Sequence, residues 1–254
     1  MENCKNTAMK KKKLNIYFTA GIPQLNDTGR VLQMIQDSGA DYVEIGMPYS
    51  DPVADGPVIQ RAHEKALANG MTISILFSQL KEIRDRITIP VILMGYLNPV
   101  LQYGFENFCR EARDAGVQGL IIPDLPPVEF ERAYKKVTEQ YQLDFIFLIT
   151  PETSVERIYY LDKLGSGFLY AVSSSSTTGQ QSKQVYNENY LNRLQSLPLK
   201  NEIMVGFGIS NCEDFKQISA KVDGAIIGSA FVKILLDDPD WETSGAAFIE
   251  NIRN

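Results

Sequence analysis

The chain contains one histidine, His63, and three cysteines, Cys4, Cys109 and Cys212. Three widely spaced cysteines do not make a disulfide framework, and they point to a reduced, cytoplasmic protein. One histidine with no cysteine near it leaves no cluster of metal-ligand spacing, so no metal site is expected. No apolar run approaches the ~20 residues of a membrane span. No apolar segment after the first lysines is long enough for a signal peptide. Positive charge is also in short supply. Lys and Arg number 25 against 31 Asp and Glu, a net charge of −6, which argues against a general nucleic-acid or anionic-membrane binder. The run Lys10–Lys13 is the exception and reads as a solvated terminus.

What is present is ample apolar material. The chain has 254 residues, 44% hydrophobic and 22% charged, enough for one large core. Short β-branched and aromatic runs recur along it: 14–19, 41–45, 91–95, 117–122, 144–149, 167–172, 203–205 and 223–227. Between them lie stretches whose apolar residues repeat at helical period, such as Val31, Leu32, Met34 and Ile35, with Asp27 or Asn26 as a cap. Tyr96 to Pro99 and Pro123 to Pro127 read as loops, 104–115 and 128–140 as helices. Residues 173–182 are polar and of low complexity, as in a mobile loop.

Eight strands alternate with helices, and no composition break marks a linker. This pattern predicts an α/β protein, a single (β/α)8 TIM barrel over residues 14–254 after a polar extension, 1–13. The runner-up, a doubly wound open sheet, would carry an early G-x-G-x-x-G, and the turn after the first run is Thr-Ala-Gly-Ile-Pro-Gln.

In such a barrel the chemistry sits at the C-terminal ends of the strands. Glu44, Asp51, Asp55, Tyr96, Asn98, Asp124, Thr178, Gly206, Gly208, Gly228 and Ser229 all fall there. Glu44 stands on a strand whose neighbours look buried, a costly place for an acid without a task. Asp51 and Asp55 follow on a loop braced by Pro48, Pro52, Gly56 and Pro57, where turn capping would also explain them. Gly206-Phe-Gly208 and Gly228-Ser229 close the last two strands, where barrels often hold a phosphate on backbone N–H groups; relief of crowding at the rim is the other reading. Tyr17, Phe18, Tyr96, Tyr170 and Phe207 cluster near strand ends, as core or as the walls of an aromatic pocket. His63 falls on the following helix, outside the barrel, and reads as a surface or supporting residue. Cys109 and Cys212 read as helix packing.

The run Glu44-Ile-Gly-Met-Pro-Tyr-Ser-Asp-Pro-Val-Ala-Asp55-Gly-Pro-Val-Ile-Gln60 resembles the signature of the tryptophan synthase α subunits, the indole-3-glycerol phosphate lyases. Phe18-Thr-Ala-Gly, Met94-Gly-Tyr-Leu-Asn-Pro99, Pro123-Asp-Leu-Pro126, Gly206-Phe-Gly-Ile-Ser210 and Gly228-Ser-Ala-Phe-Val-Lys233 extend the resemblance in the family's order. It implies retro-aldol cleavage of indole-3-glycerol phosphate to indole and glyceraldehyde 3-phosphate. By this resemblance Glu44 is the general acid/base and Asp55 the carboxylate on the indole N–H. Tyr17, Tyr96, Leu125, Tyr170, Thr178 and Phe207 would bind substrate, and Gly179, Gly208, Gly228 and Ser229 the phosphate. Pro48, Asp51 and Asn98 would face a β subunit in an αββα complex. Pyridoxal phosphate would belong to that partner, with no cofactor and no metal on this chain. Three features depart from the family: Ser174 and Ser176 replace an Arg and a Gly of the sixth loop, residues 1–13 are short for the usual covering helix, and Ile22 replaces an Asp. A β-subunit activator without its own chemistry, a stand-alone indole-releasing lyase and another sugar-phosphate barrel enzyme are the competing functions.

Overall fold

The computed structural model describes residues 11–172, 187–206 and 208–253. Residues 1–10 of the expected N-terminal extension, the loop carrying Thr178 and Gly179, and Phe207 lie outside the described residues.

Nine parallel strands form one sheet: β1 (Lys13–Thr19), β2 (Tyr42–Gly46), β3 (Val91–Met94), β4 (Gly119–Ile121), β5 (Asp144–Phe145), β6 (Leu148–Ile149), β7 (Phe168–Val172), β8 (Glu202–Gly206) and β9 (Gly224–Ile227). Their order is β5-β4-β3-β2-β1-β9-β8-β7-β6. Both ends of that order come from one continuous run, 144–149. The N–H groups of Asp144 and Ile146 donate to Gln118 and Leu120 on the β4 side. On the other side the Phe145 and Phe147 carbonyls accept from Ser166 and Tyr170. The run predicted as one strand therefore divides into β5 and β6 because its halves serve different neighbours, and the sheet closes into the expected eight-segment barrel.

Strand alternation sorts side chains into two layers. Outward residues such as Leu14, Ile16, Phe18, Val43 and Ile45 join the large core between strands and helices. Inward, Ile92, Ile121, Ile146, Phe168, Tyr170, Met204 and Ile226 form a smaller cluster inside the barrel. Asn15, Thr19 and Glu44 are fully buried beside them, on β1 and β2.

Several local expectations are revised. Tyr96 to Pro99 is not a loop, because a helix spans Leu97–Tyr103. Pro99 sits in its first turn, where a missing N–H costs no helical bond, and Asp124 accepts from the Leu97 N–H at 2.8 Å. Gly104, at φ 86°, then breaks this helix from Phe105–Asp114. The predicted helix over 128–140 contains a π turn, Phe130–Tyr134. Asp27 stands at the start of the Thr28–Asp37 helix but its side chain does not cap it. Its carboxylate instead accepts from the Gln24 N–H and from Arg30. The basic run is not simply solvated: Lys12 Nζ donates to the Val222 carbonyl at 2.7 Å, and Lys13, already in β1, pairs with Glu202.

Candidate active site

Tyr17 and Glu44 are register partners on β1 and β2, so alternation turns both into the barrel near its C-terminal mouth. Room for Tyr17 comes from Gly46: a Cβ there would lie 2.1 Å from the Tyr17 hydroxyl oxygen. The same device recurs across the barrel. A Cβ on Gly206 would lie 2.3 Å from the Tyr170 hydroxyl oxygen. Crowding relief, not ligand approach, thus accounts for Gly206.

Glu44 has no solvent exposure. Its Oε2 accepts from Asn15 Nδ2 at 3.3 Å, and among the described residues its buried Oε1 has no partner. Burial pushes its pKa up to about 8. The Asn15 hydrogen bond opposes that rise and the Asp55 charge adds to it. Glu44 is therefore protonated at neutral pH, a carboxylic acid with one free oxygen. Burial also raises Tyr17 and Tyr170, so both phenols stay neutral. Asn15 escaped the sequence reading, since nothing local marks its contact with a strand 29 residues away.

The loop after β2 presents Asp55. Its turns close through Val53 N–H to Asp51 O and Asp55 N–H to Pro52 O, 2.9 and 3.0 Å. Tyr96 donates its hydroxyl to Asp55 Oδ2 at 2.9 Å, accepts from the Ala54 N–H at 3.2 Å, and packs on Tyr49 with ring centroids 5.0 Å apart. His63 is not a surface residue. It is 3% exposed, its Nδ1 accepts from the Tyr49 N–H at 3.2 Å, and its Nε2 lies 3.5 Å from Asp55 Oδ2. A lone histidine about two helical turns beyond an acidic loop was the only available signal for this contact.

Tyr17, Glu44, Asp55 and Tyr170 line one cavity of about 170 Å³. That is roughly ten times the room one water needs, so it admits a small molecule. Its far wall is Gly208, Ile209, Ser210, Gly228, Ser229 and Ala230. Gly208 has φ +78°, a conformation that glycine adopts freely. Gly228 precedes the Ser229–Asp237 helix, whose first intrahelical bond runs from Val232 N–H to Gly228 O. The N–H groups of that first turn are free of intrahelical partners, and Ser229 and Ala230, which carry two of them, line the cavity. The atoms nearest to a Cβ on Gly228 would be those of the Tyr17 side chain, at 3.4 Å or more, so packing does not demand a glycine there.

Tyr96 joins Tyr17, Asp55 and His63 around an adjoining cavity. Leu125 is not brought to either one; it lines a third cavity, which shares Pro123 and Leu148 with the second. Pro48, Asp51 and Asn98 sit on the outer rim, with Asp51 and Asn98 exposed. Near them Val53 is 88% and Leu101 45% exposed. Among the described residues no lysine lines the first two cavities, and no group of three or more His, Cys, Asp or Glu is gathered for a metal. Cys109 is buried, which pushes its thiol up to about 12, away from nucleophile chemistry. No described helix is long and apolar enough to cross a membrane.

This barrel and its acid-lined mouth have many counterparts. The tryptophan synthase alpha chain of Flavobacterium psychrophilum is 51% identical over 90% of each chain. That of Flavobacterium johnsoniae is 53% identical over 89% of each. Among solved structures, the tryptophan synthase subunit alpha of Legionella pneumophila superposes with a TM-score of 0.84 at 35% identity, covering 96% of this chain and 92% of its own. The tryptophan synthase A-subunit of Pyrococcus furiosus gives 0.85 at 32%, covering 96% and 99%. A family model described as tryptophan synthase alpha chain matches residues 3–252. With an extent of that kind and a barrel of the same build, the chain belongs to the tryptophan synthase alpha chain family.

Proposed function

We propose that this chain cleaves indole-3-glycerol phosphate to indole and glyceraldehyde 3-phosphate, with Glu44 as the general acid/base. The observation that carries the reading is the fully buried Glu44, pushed up to about 8 with one oxygen unpartnered among the described residues, beside a cavity that also holds Asp55. Indole is a poor leaving group until its C3 is protonated. Glu44, protonated at neutral pH, gives C3 that proton. The resulting cation is centred on the ring nitrogen, where the Asp55 carboxylate accepts the N–H and offsets the charge. The Glu44 carboxylate then takes the proton from the side-chain hydroxyl. The electrons of that O–H bond form the aldehyde C=O, and those of the breaking C–C bond restore the aromatic ring. Glu44 ends protonated, ready for another cycle.

Tyr17, Tyr96 and Tyr170 supply flat, neutral walls for the indole ring, with Leu125 acting from the neighbouring cavity. The phosphate rests on the Gly208 turn and the Gly228–Ser229 helix start, with Gly179 as a further phosphate residue, and Thr178 and Phe207 belong with the substrate-binding tyrosines. Pro48, Asp51 and Asn98, with the exposed Val53 and Leu101 beside them, form the face toward a β subunit. That partner receives indole and carries the pyridoxal phosphate; this chain uses no cofactor of its own. The reaction takes place in the cytoplasm.

Purified protein incubated with indole-3-glycerol phosphate, alone and with a tryptophan synthase β subunit, is expected to release indole, faster with the partner. No indole in either case overturns the reading. Gly228→Asp places a charge against the phosphate, and KM is expected to rise about tenfold, the equivalent of one unfavourable ~1.4 kcal/mol interaction. An unchanged KM removes the phosphate from this helix start.

A further inference from the structure

His63 is the chain's only histidine, nearly all buried on the Pro57–Ala68 helix. It touches both ends of the loop that precedes that helix, Tyr49 at the entry and Asp55 at the exit. The contact with Tyr49 decides the chemistry of the one with Asp55. A backbone N–H always donates, so the ring nitrogen facing it, Nδ1 at 3.2 Å, must be the unprotonated acceptor. In a neutral imidazole the remaining proton is then on Nε2. That nitrogen stands 3.5 Å from Asp55 Oδ2, the oxygen already receiving the Tyr96 hydroxyl. Oδ2 thus takes the Tyr96 hydrogen bond and faces His63 Nε2 at 3.5 Å, a close polar contact longer than a formed hydrogen bond, and among the described residues Asp55 Oδ1 accepts no hydrogen bond.

We propose that His63 is a positioning residue for Asp55: the Tyr49 amide holds it as the Nε2–H tautomer, and it fixes the carboxylate with Oδ1 left for the substrate N–H. The part concerning substrate rests on the function proposed above; the tautomer does not. Asp55 rides on a loop that is largely exposed, whereas Glu44 stands on a strand. A loop carboxylate needs an external clamp to reach a strand's precision, and the helix provides one through His63.

With a single histidine, 15N labelling of the ring gives one pair of nitrogen signals. Long-range 1H–15N correlation on the wild-type protein is expected to show Nδ1 as the unprotonated type and Nε2 as the protonated type. The opposite tautomer, or an average of the two, overturns the proposal regardless of activity. A second arm uses reach. His63→Gln places an amide N–H where Nε2 was and keeps the link to Asp55. His63→Asn places an amide oxygen where Nδ1 was and keeps only the link to Tyr49. His63→Asn is expected to lose about tenfold or more in kcat/KM for indole-3-glycerol phosphate, the scale of one hydrogen bond to a charged group, with His63→Gln retaining most of the activity. Equal losses in both variants, or none in His63→Asn, overturn the positioning role. Asp55→Asn is the control. If it retains full turnover, the role given to Asp55 fails, and the NMR result still judges the tautomer.

Discussion

The inside of the barrel has two unlike flanks built on the same geometry. From β3 round to β9 the inward positions are mostly apolar, Ile92, Ile121, Ile146, Phe168, Met204 and Ile226, one cluster that Tyr170 joins with its ring. On β1 and β2 the equivalent positions are Asn15, Tyr17, Thr19 and Glu44. Alternation is identical in both, and so is exclusion from water. The apolar flank stabilises the barrel by roughly 25 cal/mol for each Å² removed from water. The polar flank does the reverse. It leaves Asn15 Oδ1 and Glu44 Oε1 without partners among the described residues, and such groups cost about 1–3 kcal/mol each. A buried cost kept on one flank and absent from the other marks where chemistry, rather than packing, chose the residues.

Five substitutions break or sharpen that contrast. Glu44→Gln acts on the polar flank alone and is expected to lower turnover by roughly 10²-fold or more; near-normal indole release from this variant sinks the acid/base role. The same substitution carries a stability signature of definite sign. A carboxyl whose folded pKa is about 8 against an ordinary 4.5 prefers its proton in the folded state. Its destabilising effect is absent below the unfolded pKa, grows as pH rises toward 8, and is then constant. Glu44→Gln should therefore gain stability over the wild type between pH 5 and pH 9, by an order of a few kcal/mol. Urea unfolding at both pH values measures this, and a pH-independent difference would remove burial as the cause.

On the apolar flank Phe168→Ala is expected to cost about 3–5 kcal/mol of stability, with kcat for the folded fraction changed far less than in Glu44→Gln. A turnover collapse without loss of stability would erase the distinction between flanks. Gly46→Ala tests their junction. The new Cβ collides with Tyr17, so overpacking should cost about 1–3 kcal/mol, and adding Tyr17→Ala should recover part of it in a double-mutant cycle. Smallest is Met204→Leu, a nearly volume-conserving change expected to cost less than about 1.5 kcal/mol and to leave KM unchanged by steady-state assay.

Glu44 was readable because an acid in an alternating apolar strand violates a local rule, and local rules are visible in local sequence. The loop acids were readable as a group, yet not by role: Asp51 and Asp55 stand in equally ordinary turn sequences, and only Asp55 meets Tyr96 and His63. Pro99 suggested a loop because proline interrupts helices, while its place in a first turn depends on Asp124 accepting the Leu97 N–H. Gly206 looked like a phosphate or rim glycine, and Gly46 was only one residue of the signature run. Their reason is a tyrosine hydroxyl on the adjacent strand, and no residue next to them in sequence says so.

By itself the sequence determined the alternating strands and helices, the closed barrel they make, and the strand-end placement of its acids and glycines. Those follow from periodicity and chain connectivity, which are properties of neighbours along the chain. The tertiary structure alone decided which groups meet. It set Asn15 under Glu44, put Tyr17 over Gly46, divided the fifth strand between two neighbours, and turned His63 from an outer helix onto Asp55. Such contacts depend on the register between strands and on how a helix returns over its own loop, and a shift of one residue would turn each of the strand side chains to the other face.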